Sequence, residues 1–578
     1  MKAKLFLLRF TLSVVVTLVL SFVVFKFFKP IYISKSLIIP YAIYPFDICT
    51  ASPKAWKWIK MTHIITSMYV ISILVNSIFS KFLKSKNILP KCIKQNPYCC
   101  KSTGINLYLG KSQDKNFPVY LPEKSLFQNL LITGTIGTGK TSSSMYPFAK
   151  QLIEYGLGVN ERKLGMLILD VKGNFYNQVN KYASESGRLD DLCVISLGGK
   201  IKYNPLDKPD LKPSVLANRL KTILTLFSPN NSESYWLDKA EEVLTECIKL
   251  CRLYNNGYVT FIEIHKLVNS PDYYDEKISY LRNLFKAGAF TEAEIYDLHS
   301  ALTFFENEYK SLDARVLSIL KSEISRMTNI FMSDYDIKQT FCSDKSSINF
   351  HGFKDVLNKG KIVVLNMNIA MYRNLSKLIA AYLKLDFQSE ILSQLAKGNV
   401  HPSVFICDEY HEYVTTTDSD FFAQSREAKC INIVATQSYT SILNTLKDQY
   451  ATRAIIQNLI NKLWYRTDDT FTIEDAQKQI GKEDKTKISK SISENAQETN
   501  YNYITNSLNS RNSSVSESIS THIMTDYIFD TNFFTQSLET FSCLSFLSNG
   551  DKILPPTKIK MEPYFITKNP KKKWYKII

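Results

Sequence analysis

The chain has 578 residues, enough for several domains. Its 45% hydrophobic and 22% charged residues are ordinary for a globular protein and exclude disorder as a global description. Lys and Arg number 71 against 54 Asp and Glu, a formal charge of +17 that suits a polyanionic partner, either nucleic acid or an anionic membrane leaflet.

Thr11 to Phe25 (TLSVVVTLVLSFVVF) is almost wholly apolar, and Leu5 to Leu8 extend it past Arg9. Together they approach the ~20 residues of a spanning helix. Met61 to Ser80 forms a second run without Asp, Glu, Lys or Arg. No small-x-small cleavage site follows the first run, which argues against a signal peptide. Two transmembrane helices, about 5–25 and 61–80, are therefore expected. Lys residues flank both runs and also fill the connecting loop, so the positive-inside rule does not orient them. The 11 cysteines are scattered, mostly in apolar runs such as Phe405-Ile406-Cys407, as free thiols in a reducing compartment would be. Cys92, Cys99 and Cys100 lack the C-x-x-C pair or nearby His of a zinc site.

Leu130 to Thr133 reads as a buried strand running into Gly134-Thr135-Ile136-Gly137-Thr138-Gly139-Lys140-Thr141, a complete G-x-x-x-x-G-K-[ST]. The glycines let backbone N–H groups turn inward around phosphates, and the following helix, opened by Ser142, presents its positive end. Lys140 is expected to reach the β- and γ-phosphates of ATP, and the Thr141 hydroxyl to ligate Mg²⁺. ATP is cytoplasmic, which places both termini there.

A second acidic element completes such a site. Ser403 to Cys407 supplies a strand, followed by Asp408 for Mg²⁺ and Glu409 as general base. Its bland reading is a helix N-cap with a first-turn acid. Ile431 to Thr436 forms another strand, with Gln437 at its tip as a γ-phosphate sensor. Arg426, on an expected helical stretch from Phe421 to Cys430, is either a solvated cation or an arginine finger.

Further phrases follow in order: Asp170-Val171-Lys172-Gly173 after a strand, Asn204-Pro205-Leu206, Ser234-Tyr235-Trp236, and Asn461 through Asp469. With the two N-terminal runs, this order resembles the conjugative coupling proteins of type IV secretion systems, inner-membrane hexameric relatives of the chromosome-pumping ATPases. One departure is Tyr410-His411-Glu412, where the family usually places Phe and a small residue. The resemblance implies an α/β RecA-like P-loop ATPase core with a mostly parallel sheet, an inserted all-α domain and two N-terminal transmembrane helices. It also implies that Arg426 acts on a neighbouring subunit.

The organisation expected is a membrane anchor over 1–86, core segments over 87–206 and 349–488, and an all-α insertion over 207–348, where apolar residues recur at three- and four-residue spacing. A flexible polar loop over 489–522, nearly all Ser, Asn, Thr and Glu, precedes a terminal strand segment with a basic tail over 523–578. The leading functional reading is a multi-pass protein of the bacterial inner membrane with a cytoplasmic ATPase domain, a homo-hexamer that moves cargo to the type IV secretion channel. Its partners would be DNA bound without sequence preference and a relaxase or other secreted protein. A double-stranded DNA pump and a non-hydrolysing substrate receptor are the alternatives.

Overall fold

The structure, a computed structural model, describes residues 104–157, 163–227, 234–398, 400–494, 501–502, 507–508 and 515–566, with scattered helical positions between 16 and 73. Met1–Asn96 and Pro97–Ile578 are separate compact units. The first expected span lies outside the described residues except Val16 and Val19. Of the second, Met61, Thr62, residues 65–71 and Ile73 are helical, with Ile65, Tyr69, Val70 and Ile73 exposed. No helix among the described residues is long and apolar enough to cross a membrane. The group Cys92, Cys99 and Cys100 and the basic tail also lie outside them.

The larger unit is organised by one sheet. Its strands are β1 (Asn106–Ser112), β2 (Pro118–Pro122), β3 (Leu130–Thr133), β4 (Gly165–Leu169) and β5 (Leu192–Ile195). After a long helical segment come β6 (Ile362–Leu365), β7 (Ser403–Cys407), β8 (Cys430–Thr436) and β9 (Asn461–Trp464). Then follow β10 (Lys482–Glu494), β11 (Tyr501–Asn502), β12 (Ser507–Leu508), β13 (Val515–Tyr527), β14 (Ser542–Phe546) and β15 (Thr557–Lys560). Eleven of these form the sheet, in the order β2-β1-β15-β14-β9-β3-β8-β7-β4-β6-β5. From β9 to β5 every neighbour is parallel, whereas β14, β15, β1 and β2 add an antiparallel edge. The sheet is thus mostly parallel but mixed.

Parallel strands buried on both faces read as continuous apolar runs, and these strands do. Leu131, Leu167, Leu169 and Phe405 face one apolar cluster. Their alternates Leu130, Ile132, Met166, Ile168, Val404 and Ile406 face the other. Between β5 and β6 the chain forms helices that include Pro213–Phe227, Ser234–Tyr254, Phe261–Asn269 and Ala314–Thr328. Their buried residues, such as Leu220, Leu244 and Phe261, belong to the same cluster as Leu131 and Phe405. The helical insertion therefore completes one face of the sheet.

Two expectations are corrected here. Of residues 489–522, read as a flexible polar loop, 489–494 and 515–522 lie instead in a two-stranded ribbon in which β10 pairs β13 from Lys482↔Tyr527 to Glu494↔Val515. The ribbon's order comes from its backbone ladder rather than from burial: Ile488, Ile519 and Ile523 stay exposed, and apolar content was the only signal the loop reading weighed. The second concerns the stretch from Phe421 to Cys430, whose helix ends at Gln424 while Cys430 already opens β8.

The segment after β7 is held by a buried ion pair. On the helix Ile369–Ala396, Lys384 Nζ donates to Asp418 Oδ2 at 2.6 Å, to the Tyr413 carbonyl at 2.7 Å and to Thr415 Oγ1 at 2.9 Å. Tyr410 and Gln388 donate to the same carboxylate. Both charged side chains are fully buried, so removing one leaves the other uncompensated. Asp418→Ala is expected to cost about 3–5 kcal/mol, read as a clear fall in the thermal unfolding midpoint. An unchanged midpoint would show that the pair does not hold this segment.

Candidate nucleotide site

After Thr133 the chain leaves β3 and wraps through Gly134 to Lys140. Gly137 and Gly139 adopt φ of +80° and +96°, conformations that favour glycine. At Gly139 a Cβ would also run into the Phe541 ring, whereas nothing lies within 4 Å of one at Gly137. The loop is tied to its neighbours on both sides. Gly134 N–H donates to the Gln437 carbonyl at 3.2 Å, and Thr135 N–H to the Arg466 carbonyl at 2.9 Å. Ser143 and Ser144 meet the buried Tyr465 hydroxyl at 2.9 and 2.5 Å. A wide helical turn, Thr141–Met145, continues into the α-helix Tyr146–Ile153, so the loop ends at a helix N-terminus as its motif requires.

β8 lies between β3 and β7 in the sheet, and the register brings Thr133 level with Thr436 and Cys407 near Val434. That alignment carries the phosphate loop and the acidic pair to the same edge. Thr141 Oγ1 donates to Asp408 Oδ2 at 2.7 Å. Lys140 is buried, and its Nζ donates to the carbonyls of Gly134 and Thr135. Burial lowers the basicity of its ammonium, opposed by the charges of Glu409 and Asp408.

Asp408 is almost wholly enclosed. Burial pushes its carboxyl up to about 6; the Thr141 hydrogen bond and Lys140 pull it down, while Asp170 and Glu409 push it further up. Asp170 stands at the end of β4, where it accepts N–H bonds from Lys172 at 3.2 Å and Phe175 at 3.0 Å. Glu409 takes a left-handed backbone conformation, φ +50° and ψ 47°. Its Oε2 is buried and accepts no hydrogen bond, as a carboxylate aimed at a reacting water would be.

The residues fit a nucleotide with Mg²⁺. Such an ion is usually bound through one or two protein oxygens together with substrate phosphates, keeping several waters. The Thr141 hydroxyl and the Asp408 carboxylate supply that pair. Among the described residues no group of three or more His, Cys, Asp or Glu could hold a metal on its own.

The structure thus brings together Gly134, Thr135, Ile136, Gly137, Thr138, Gly139, Lys140, Thr141, Ser142, Asp408 and Glu409, with the Gln437 main chain against the loop. Arg426 is not among them. It is exposed in the turn before β8, at that strand's N-terminal end, whereas the phosphate loop lies at the C-terminal edge. The strand's seven residues put about 20 Å between the two edges. Sequence reasoning gave no role to Asp170, Tyr465 or Phe541. An acid closing a buried strand, as Asp408 does, was the available signal for Asp170; the other two are placed by β9 and β14, far along the chain. Gly139→Ala is expected to weaken ATP binding at least tenfold, measured by fluorescent-nucleotide titration. Gly137→Ala should cost less, because only the first Cβ meets another element; equal losses would show that backbone conformation alone decides.

Comparison with known proteins bears on the fold. The family described as the TraM recognition site of TraD and TraG matches residues 402–526. No curated protein matches the chain. Among solved structures, the bacterial conjugative coupling protein TrwBdeltaN70 in its unbound form is 14% identical, with a TM-score of 0.50, over 77% of this chain and 87% of that one. Plasmid coupling protein TrwB with a non-hydrolysable GTP analogue gives 14% and a TM-score of 0.51, over 77% and 88%. The same protein with ADP and Mg²⁺ gives 14% and 0.50, again over 77% and 88%. The chain therefore has the fold of the conjugative coupling protein TrwB, and residues 402–526 match the family described as the TraM recognition site of TraD and TraG.

Proposed function

We propose that this chain is the ATP-driven coupling protein of a type IV secretion or conjugation system, which recruits DNA–protein or protein cargo and drives it to the secretion channel. The observation that carries the reading is the Thr141–Asp408 hydrogen bond, which joins the two halves of a P-loop site inside a coupling-protein fold. A family described as a recognition site over 402–526 supports a protein partner, and the +17 charge supports DNA. Anchoring in the bacterial inner membrane by two N-terminal spans, with the ATPase in the cytoplasm, rests on the apolar runs at 5–25 and 61–80.

In this reading the loop amides and Lys140 hold the phosphates, and Thr141 with Asp408 holds Mg²⁺, which neutralises charge developing on the transferred phosphoryl group. Glu409 takes the proton of the attacking water. Gln437, at the tip of β8 and bonded through its carbonyl to Gly134, would pass loss of the γ-phosphate onward. A homo-hexamer accounts for Arg426. Too far from its own phosphates, the side chain would complete the site of an adjacent subunit.

Steady-state ATPase of the full chain in detergent tests the chemistry. Lys140→Ala should be inactive, and Glu409→Gln should bind ATP but turn over far more slowly; parental turnover in the second would remove Glu409 as base. Arg426→Ala should be inactive alone yet regain activity when mixed with Lys140→Ala, since some interfaces then pair an intact loop with an intact finger. Mixed rings without recovery at any ratio would return Arg426 to a structural role. DNA affinity should fall linearly with salt on logarithmic axes, because each neutralised phosphate releases counterions. A salt-insensitive complex would count against the DNA channel.

A further inference from the structure

The segment after the acidic pair departs from the family pattern, and the structure gives the departure a place. Tyr410 turns away from the nucleotide site, donating to Asp418 Oδ2 at 2.5 Å in the buried cluster described above. His411 turns the other way. Its Nδ1 lies 3.2 Å from Thr436 Oγ1 and 3.7 Å from Glu409 Oε2. The Thr436 hydroxyl donates to the Ser438 carbonyl at 3.3 Å, which leaves its oxygen to accept and assigns the imidazole proton to Nδ1. That N–H is bonded to Thr436, and the Glu409 carboxylate oxygen that accepts no hydrogen bond lies beside the ring, 3.7 Å from Nδ1.

Burial lowers the imidazole's basicity; Glu409 and Glu412 raise it, and Lys377 and Lys140 lower it. The bond to Thr436 holds the ring against the Glu409 carboxylate. The other side of the ring is also occupied. Nε2 lies 3.8 Å from Glu412 Oε1, and Glu412 Oε2 lies 3.6 Å from Lys377 Nζ on the helix Ile369–Ala396. Lys377 lines a cavity of about 670 Å³ where this helix meets Phe227, Ile330 and Ile337 of the helical insertion.

We propose that His411 is a positioning residue for the base Glu409. The inference rests on the nucleotide-site reading above, since it gives His411 its effect only through Glu409. The ring bridges the tips of β7 and β8, so it fixes the base relative to the strand that carries Gln437.

The test is a double-mutant cycle on the full chain, reading single-turnover ATP hydrolysis and ATP affinity separately. His411→Phe keeps ring volume and removes the donor; it is expected to lower the hydrolysis rate about tenfold or more, as small misplacements of a catalytic group do, with ATP affinity within about twofold of the parent. His411→Gln retains an N–H and should recover most of the rate. In a Glu409→Gln background, His411→Phe should add no further loss. An equal loss from His411→Phe in both backgrounds, or a loss confined to ATP affinity, overturns the proposal. If Glu409→Gln itself hydrolyses at the parental rate, the base assignment fails instead, and the two failures are told apart by that single variant.

Discussion

Three carboxylates converge where β4 and β7 end. Asp170 and Asp408 close adjacent strands and are both buried, and Glu409 follows directly. Lys140, itself buried, is a cation that acts on Asp408. Burial pushes the Asp408 carboxyl up to about 6, and the neighbouring charges of Asp170 and Glu409 add to it. Thr141 and the N–H groups of Lys172, Phe175 and Glu409 offset part of the cost. The remainder is an unmet demand for positive charge at one point of the sheet edge. A divalent cation carried by a nucleotide meets that demand, so the electrostatic strain and the ligand preference have one origin.

Much of this was legible beforehand because it is local. The motif from Gly134 to Thr141 and the acids after Phe405-Ile406-Cys407 each sit on a strand whose apolar run is unmistakable, and β3, β4, β6, β7 and β8 fall where those runs lie. The helical insertion was legible by its three- and four-residue spacing. What the sequence withheld depends on contacts between distant segments. Gly139 is pinned by Phe541, some four hundred residues on; the loop's anchors at Tyr465 and Arg466 follow a strand whose place beside β3 no local pattern reveals. The antiparallel edge of β14, β15, β1 and β2 joins the two ends of the domain and is invisible to periodicity for the same reason. The ribbon of β10 and β13 was missed for a different one. Composition weighed what the segment could bury, whereas its order lies in backbone pairing with exposed isoleucines between the rungs.

Arg426 shows where the local and the distant meet. Its place in the order of motifs was readable, but its side of the sheet was not, because that depends on a helix ending at Gln424 rather than running on to Cys430. Once the turn is formed, β8 must traverse the sheet before reaching the phosphate loop, and the arginine is left at the far end.

The helix Ile369–Ala396 explains how the two ends of the molecule's chemistry could be joined mechanically. Near its start the backbone departs from helical geometry at Tyr372, beside the cavity against the insertion. Lys377 then reaches Glu412 and Lys384 reaches Asp418, both in the segment that carries Glu409. One half-turn later Asp386 faces the other way, held by Lys208 at 2.7 Å and by Arg219 of the first insertion helix at 3.0 Å. Buried ion pairs add little net stability over apolar packing of the same shape, so the Lys384 pair and the two Asp386 pairs are poorly explained as ballast. What they do supply is geometric definition, since each is satisfied in only one arrangement of its partners. A helix gripped in this way on both sides cannot shift against the insertion without straining the segment after β7, nor can that segment move without the helix. The polar contacts therefore tie the insertion to the segment that carries Glu409.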